Sequence, residues 1–81
     1  MERKTIMFDA SKTQQKTTKE ILESVYASLE ERGYNGLDQM VGYILSGDPS
    51  YITSHNSART MISRIDRDDL VEELLKVYLN K

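Results

Sequence analysis

Ile21, Leu22, Val25, Tyr26 and Leu29 recur three and four residues apart, with Glu23, Glu30, Glu31 and Arg32 between and after them. That spacing lays an apolar stripe along one side of an α-helix and a charged stripe along the other. Thr17 followed by Glu20 supplies a capping box, in which each side chain satisfies a free backbone N–H of the other residue. Gly33 supplies the stop, so the pattern predicts a helix over 18–32. A second apolar stripe, Leu37, Met40, Val41, Ile44 and Leu45, predicts a helix over 37–46. Asn35 is its expected N-cap, Asp38 complements the helix dipole, and Gly47 with Asp48-Pro49 closes it. Gly42 lies inside that helix, where it costs about 1 kcal/mol against Ala, and its simplest role is close approach of a neighbouring helix.

Residues 48–55 read as a turn-rich connection. Ala58, Met61, Ile62 and Ile65 then predict a third helix over 56–65. Leu70, Val71, Leu74, Leu75 and Tyr78 predict a fourth over 67–79, with Asp66 as N-cap, Asp68 and Asp69 in its first turn and Lys76 and Lys81 at its far end. The first sixteen residues hold no lasting periodicity. Ile6-Met7-Phe8 is a single apolar island in a Lys/Thr/Gln/Ser setting. The expectation is an all-α fold, a compact bundle of four short helices formed by residues 17–81, preceded by a mobile N-terminal arm at 1–16.

Composition narrows the function. The chain has 81 residues and no cysteine, which removes disulfides, thiolate metal sites and a cysteine nucleophile. No apolar run has the ~20 residues of a membrane helix and the N-terminus carries no secretion signal, so a cytoplasmic protein is expected. A chain this short buries a marginal core, and apolar faces on four short helices predict a homodimer. With 11 basic and 13 acidic residues the net charge is −2. The head is basic, with Arg3, Lys4, Lys12, Lys16 and Lys19, while Asp66 to Glu73 is acidic.

Catalysis finds little support. His55 is the single histidine, without the second histidine that a zinc pair needs. Its neighbours Ser54 and Ser57 do not face it at a helix start. The acids at 66–73 lack the central glycine and alternating oxygens of a calcium loop, and no phosphate-binding glycine loop or nucleophile elbow occurs. A non-enzymatic protein with no metal and no cofactor is the expectation. Arg59, Arg64 and Arg67 lie on or beside the third helix. Helical spacing puts His55 and Arg59 one turn apart, and with Asn56 these residues form a candidate partner surface. A small helical DNA-binding regulator is the alternative reading, but the connection between the second and third helices is longer than a helix-turn-helix allows, and few cations flank it to grip phosphates. Thr5 in Arg3-Lys4-Thr5-Ile6-Met7-Phe8 offers a hydroxyl in an extended basic segment, the setting a kinase reads.

The block Gln39-Met40-Val41-Gly42-Tyr43-Ile44-Leu45-Ser46-Gly47-Asp48-Pro49-Ser50-Tyr51-Ile52, preceded by Gly33-Tyr34-Asn35, strongly resembles the IreB-like regulatory phosphoproteins of Gram-positive bacteria, which include ReoM-like members. The likeness continues through His55-Asn56, Ala58-Arg59, Met61-Ile62, Asp66-Arg67-Asp68, Val71-Glu72-Glu73-Leu74 and Tyr78-Leu79. It implies a small helical homodimer without catalytic activity. It implies phosphorylation on an N-terminal threonine by a membrane Ser/Thr kinase with PASTA repeats, reversed by a PP2C-type phosphatase. It further implies restraint of peptidoglycan precursor synthesis, and with it cell-wall antibiotic tolerance, through Clp-protease turnover of the UDP-N-acetylglucosamine enolpyruvyl transferase. Lys4-Thr5-Ile6-Met7-Phe8 resembles the family's acceptor segment, so that role carries to Thr5; Thr13, Thr17 and Thr18 are the other threonines near it. His55, Asn56, Arg59, Arg64 and Arg67 fall on the surface that resembles the family's partner-contact patch. Thr53-Ser54 stands where members often have Pro-Arg, and Ser63 where an arginine is common, so two cations of that patch are absent.

Overall fold

The computed structural model describes residues 17–81; the arm, Thr5 and Thr13 included, lies outside the described residues. Four α-helices follow one another: α1 (Thr18–Glu31), α2 (Gly36–Ser46), α3 (Ala58–Ser63) and α4 (Arg67–Leu79). Short 3₁₀ turns at Pro49–Tyr51 and His55–Ser57 bridge α2 and α3. The described part of the chain is all-α, as the periodicity predicts.

The caps explain the boundaries. At α1, Thr17 N–H donates to Glu20 Oε1 at 2.9 Å and Glu20 N–H donates to Thr17 Oγ1 at 3.1 Å, the reciprocal bond pair of a capping box. At α2, Asp38 N–H donates to Asn35 Oδ1 at 3.1 Å. Gly47 ends α2 in the left-handed region at φ 76°, where a Cβ would be strained. Asp66 occupies the N-cap position of α4, but its side chain makes no capping hydrogen bond.

The core is Ile21, Val25 and Leu29 of α1, Tyr43 of α2, Ala58 and Ile62 of α3, Leu70 of α4, and Ile52 from the connection. Leu22, Met40, Ile44, Met61 and Ile65 pack around it half-buried. α1 is the central element and packs against α2, α3 and the His55–Ser57 turn.

The structure revises one helix boundary and the role of Gly42, and decides two faces that the periodicity leaves open. The third helix does not start at Asn56: Asn56 and Ser57 both take left-handed backbone angles, φ 56° and 59°, so the chain kinks and α3 begins at Ala58 and ends at Ser63. The inward face of α2 is Gly36, Met40, Tyr43 and Ile44, whereas Leu37, Val41 and Leu45 point outward. Two glycines of α2 seat tyrosine rings. A Cβ on Gly36 would lie 2.6 Å from the Tyr26 ring, and one on Gly42 2.5 Å from the Tyr51 ring. Gly42 is therefore a seat for a side chain of the 3₁₀ connection rather than for a neighbouring helix. Lastly, the wide apolar face of α4 is not spent on the core. Only Leu70 is buried, and Val71, Leu74, Leu75 and Tyr78 are exposed, Tyr78 at 88%.

Candidate partner-binding surface

The residues singled out on and around the third helix divide into two groups once folded. His55 and Asn56 turn back onto α1. His55 Nε2 lies 2.8 Å from Glu31 Oε1, and Asn56 Nδ2 donates at 3.3 Å to both Glu31 Oε1 and Ser28 Oγ. One carboxylate near the C-terminus of α1 thus holds the strained turn that precedes α3. Ser28 is 2% exposed and sits under this contact. Neither Glu31 nor Ser28 stands out locally in the chain, because their partners follow 24 to 28 positions later.

The arginines are used differently. Arg59 Nε donates to the Ile52 carbonyl at 2.8 Å, while its backbone N–H donates to Thr53 O at 3.1 Å. It clips the connection to the start of α3. Arg67 donates from its guanidinium to the Ile44 carbonyl at 2.9 Å, so a side chain from the first turn of α4 caps a C-terminal carbonyl of α2. A Cβ on Gly47 would meet that guanidinium at 2.7 Å, so the glycine serves the arginine as well as its own backbone angle. Arg64 makes no salt bridge or side-chain hydrogen bond among the described residues. The kink at Asn56–Ser57 also removes the helical relation between His55 and Arg59: they follow different backbone paths, one to Glu31 and the other to Ile52. Ser54 and Ser63 are both exposed. Thr17 is occupied as a helix cap.

Electrostatics add one perturbed group. The Ser50 backbone N–H donates to Asp48 Oδ1 at 2.9 Å. That bond, the Ser50 hydroxyl and the nearby Arg59 charge hold the Asp48 carboxyl below the usual carboxylate range. Asp66, Asp68 and Asp69 bring carboxylate oxygens within 4.8 Å of one another, all exposed, at the positive end of the α4 dipole. They form a solvated helix start.

The described surface also carries two apolar stripes. Leu37, Val41 and Leu45 form a stripe along α2, 53% to 78% exposed. Val71, Leu74, Leu75 and Tyr78 form another along α4. A cleft of about 540 Å³, lined by Ile44, Asp66, Arg67, Asp68 and Val71, lies where the two helices approach. The surface can therefore dock apolar side chains framed by acids and one arginine. Among the described residues it gathers no nucleophile, base and oxyanion donor in one place, the set that acyl-transfer chemistry uses. No helix among the described residues is long and apolar enough to cross a membrane.

A comparison with known protein families adds to this geometry. The model of the family of IreB regulatory phosphoproteins matches residues 3–80, from the start of the basic arm to the last turn of α4. With nearly its whole length matched, the chain belongs to the IreB regulatory phosphoprotein family.

Proposed function

We propose that this protein is a non-catalytic adaptor switched by phosphorylation of Thr5. The kinase is a PASTA-type Ser/Thr kinase and the opposing enzyme a PP2C-type phosphatase. Unmodified, the adaptor restrains peptidoglycan precursor synthesis by promoting Clp-dependent turnover of the UDP-N-acetylglucosamine enolpyruvyl transferase. The observation that carries this reading is the reach of the family match: it begins at residue 3 and so takes in the Arg3–Phe8 segment with its threonine. Phosphorylation there adds about −1.5 to −2 charges, which cancels the positive charge of Arg3 and Lys4 and leaves the segment near neutral.

The adaptor works in the cytoplasm as a homodimer. Supporting this are the exposed stripes of α2 and α4, seven large side chains that the folded protomer leaves in water. Patches of that kind mark protein contacts on small domains. The downstream partner is met by the edge that carries His55, Asn56, Arg59, Arg64 and Arg67. Two of those five already hold backbone carbonyls. Arg59 and Arg67 thus shape the edge, and Arg64 is the cation with no described internal partner.

The test is capture from native cytosol with unmodified and Thr5-phosphorylated protein, compared by mass spectrometry. The unmodified form is expected to retain the transferase or Clp components and the phosphorylated form to lose them. Thr5→Ala is expected to capture like the unmodified protein and to take no label from the kinase. Label on Thr17 or Thr18 with Thr5 spared would overturn the assignment. Equal capture by both forms would overturn the switch.

A further inference from the structure

The turn before α3 holds two consecutive left-handed residues, Asn56 at φ 56° and Ser57 at φ 59°. Asparagine visits that region as a single residue; two residues in succession, one of them a serine, store strain. The turn lies between two fully buried anchors, Ile52 and Ala58, and no side chain of residues 53–57 belongs to the core. Its shape is held from α1. His55 Nε2 stands 2.8 Å from Glu31 Oε1, and Asn56 Nδ2 donates to the same oxygen and to Ser28 Oγ, each at 3.3 Å.

We propose that Glu31 is the latch of a two-state turn. Engaged, it holds the left-handed pair. Released, residues 55–57 take right-handed angles and join α3, which then runs from His55 to Ser63 with Ser54 as its N-cap. Local chemistry supports the longer helix. Ser54 is already right-handed and of a favoured capping type, whereas α3 as it stands starts at Ser57 without a side-chain cap bond. Backbone hydrogen bonds are exchanged and not lost: Arg59 N–H, now on Thr53 O at 3.1 Å, takes the His55 carbonyl instead. Against this the latched form sets three side-chain contacts. Two of them end on a carboxylate whose side chain is 57% exposed, and contacts to so wet a charge contribute little. A cleft of about 320 Å³, lined by Ser24, Ala27, Ser28, Asn56 and Met61, gives Asn56 room to leave. The Ser28 hydroxyl then turns to the carbonyl one helical turn back.

Release changes what the edge presents. Latched, His55 faces Glu31 and Arg59 faces the Ile52 carbonyl. Released, the two are four residues apart on one helix and become surface neighbours. An imidazole beside a guanidinium suits a carboxylate, through charge-assisted hydrogen bonds. An acidic group of a partner that bridges them binds the released form better, and that difference in affinity is what moves the equilibrium. Glu31 thus occupies His55 in the partner's place until an acidic partner takes it over. This consequence rests on the reading of the edge as the docking surface; the latch itself does not.

The test is NMR on the full chain. In the parent, strong intraresidue HN–Hα contacts at Asn56 and Ser57 are expected, the mark of positive φ. In Glu31→Ala these should vanish, and Hα–HN contacts from Ser54 to Ser57 and from His55 to Ala58 should appear. Adding Asn56→Gly and Ser57→Gly to Glu31→Ala removes the strain of the left-handed pair and should keep the helical contacts absent. A hexaglutamate peptide is the acidic probe. It should bind Glu31→Ala about threefold or more tighter than the triple variant, which has the same charge but a lower population of the released helix. Left-handed signatures that persist in Glu31→Ala, or a turn that becomes coil without helical contacts, would overturn the latch. Equal peptide affinity of the two variants would overturn its coupling to an acidic partner. Failure of capture from cytosol would strike the partner reading of the edge and leave the NMR result standing, so the two failures are told apart.

Discussion

Replacing Arg59 with alanine should unfold the protein more readily than replacing any other exposed cation of the α3 edge. The guanidinium gives the Ile52 carbonyl a hydrogen bond of 2.8 Å in a half-buried position, next to a side chain that is itself wholly buried. Hydrogen bonds from charged donors contribute about 1.5–3 kcal/mol, and an acceptor stranded without a partner adds a penalty of similar origin. Water reaches a half-buried carbonyl, which places the loss near the lower end, ~2 kcal/mol. The backbone bond from Arg59 N–H to Thr53 O survives the substitution, so the α3 start is weakened and not abolished. For a domain of this size ~1 kcal/mol moves the midpoint by about 4–8 °C, so Arg59→Ala should melt about 8–16 °C lower. Arg59→Lys lacks the planar fork that reaches the carbonyl and should recover only part of this. Arg64→Ala is the internal control and should stay within about 0.5 kcal/mol of the parent. The assay is far-UV circular dichroism against temperature at one fixed protein concentration, because the midpoint of any protein that self-associates depends on concentration. If Arg59→Ala melts with the parent, or Arg64→Ala falls as far, the arginine is not a structural clip.

Gly47→Ala meets both a left-handed backbone at φ 76° and the Arg67 guanidinium at 2.7 Å from the new Cβ; it should cost about 1–3 kcal/mol by thermal melting, and a neutral result would remove the Arg67 cap from the account. Leu74→Asp places a charge on the exposed apolar face of α4; light scattering at micromolar concentration should move from about twice the chain mass to the chain mass with the helical spectrum preserved, and a persistent dimer would place the interface elsewhere. Asp48 has its folded pKa depressed by its bonds to Ser50, so its contribution is present above the ordinary carboxylate pKa and is lost as pH falls through the lower folded value. Melting between neutral pH and values below ~4 should therefore drop faster for the parent than for Asp48→Asn, and parallel curves would show that the cap carries no linkage.

What a residue does with neighbours three or four positions away is legible in the chain itself. The Thr17–Glu20 capping box, the Asn35 cap, the left-handed glycines at 33 and 47, and the inward stripe Ile21-Val25-Leu29 all follow from contacts within one helical turn. The block from Gln39 to Ile52 likewise carries the family in consecutive residues. Which of two apolar faces turns inward is a different matter. The apolar positions of α2 cover more than half of its circumference, and the fold takes Tyr43 with Met40 and Ile44 inward, seats the Tyr26 and Tyr51 rings on Gly36 and Gly42, and leaves Leu37, Val41 and Leu45 outside. The break at Asn56–Ser57 has the same origin. Local propensity continues α3 through them, but Glu31 holds His55 and Asn56 from across the fold, and the backbone accepts two left-handed residues to meet it. Arg59 and Arg67, read from the chain as part of a candidate partner surface, become clips only because the carbonyls of Ile52 and Ile44 arrive beside them in the folded protein. α4 shows the limit from the other side. Its periodicity announces an apolar face, and only the tertiary arrangement decides that a single residue of it, Leu70, is spent within the protomer while the remainder is left to water or to another surface.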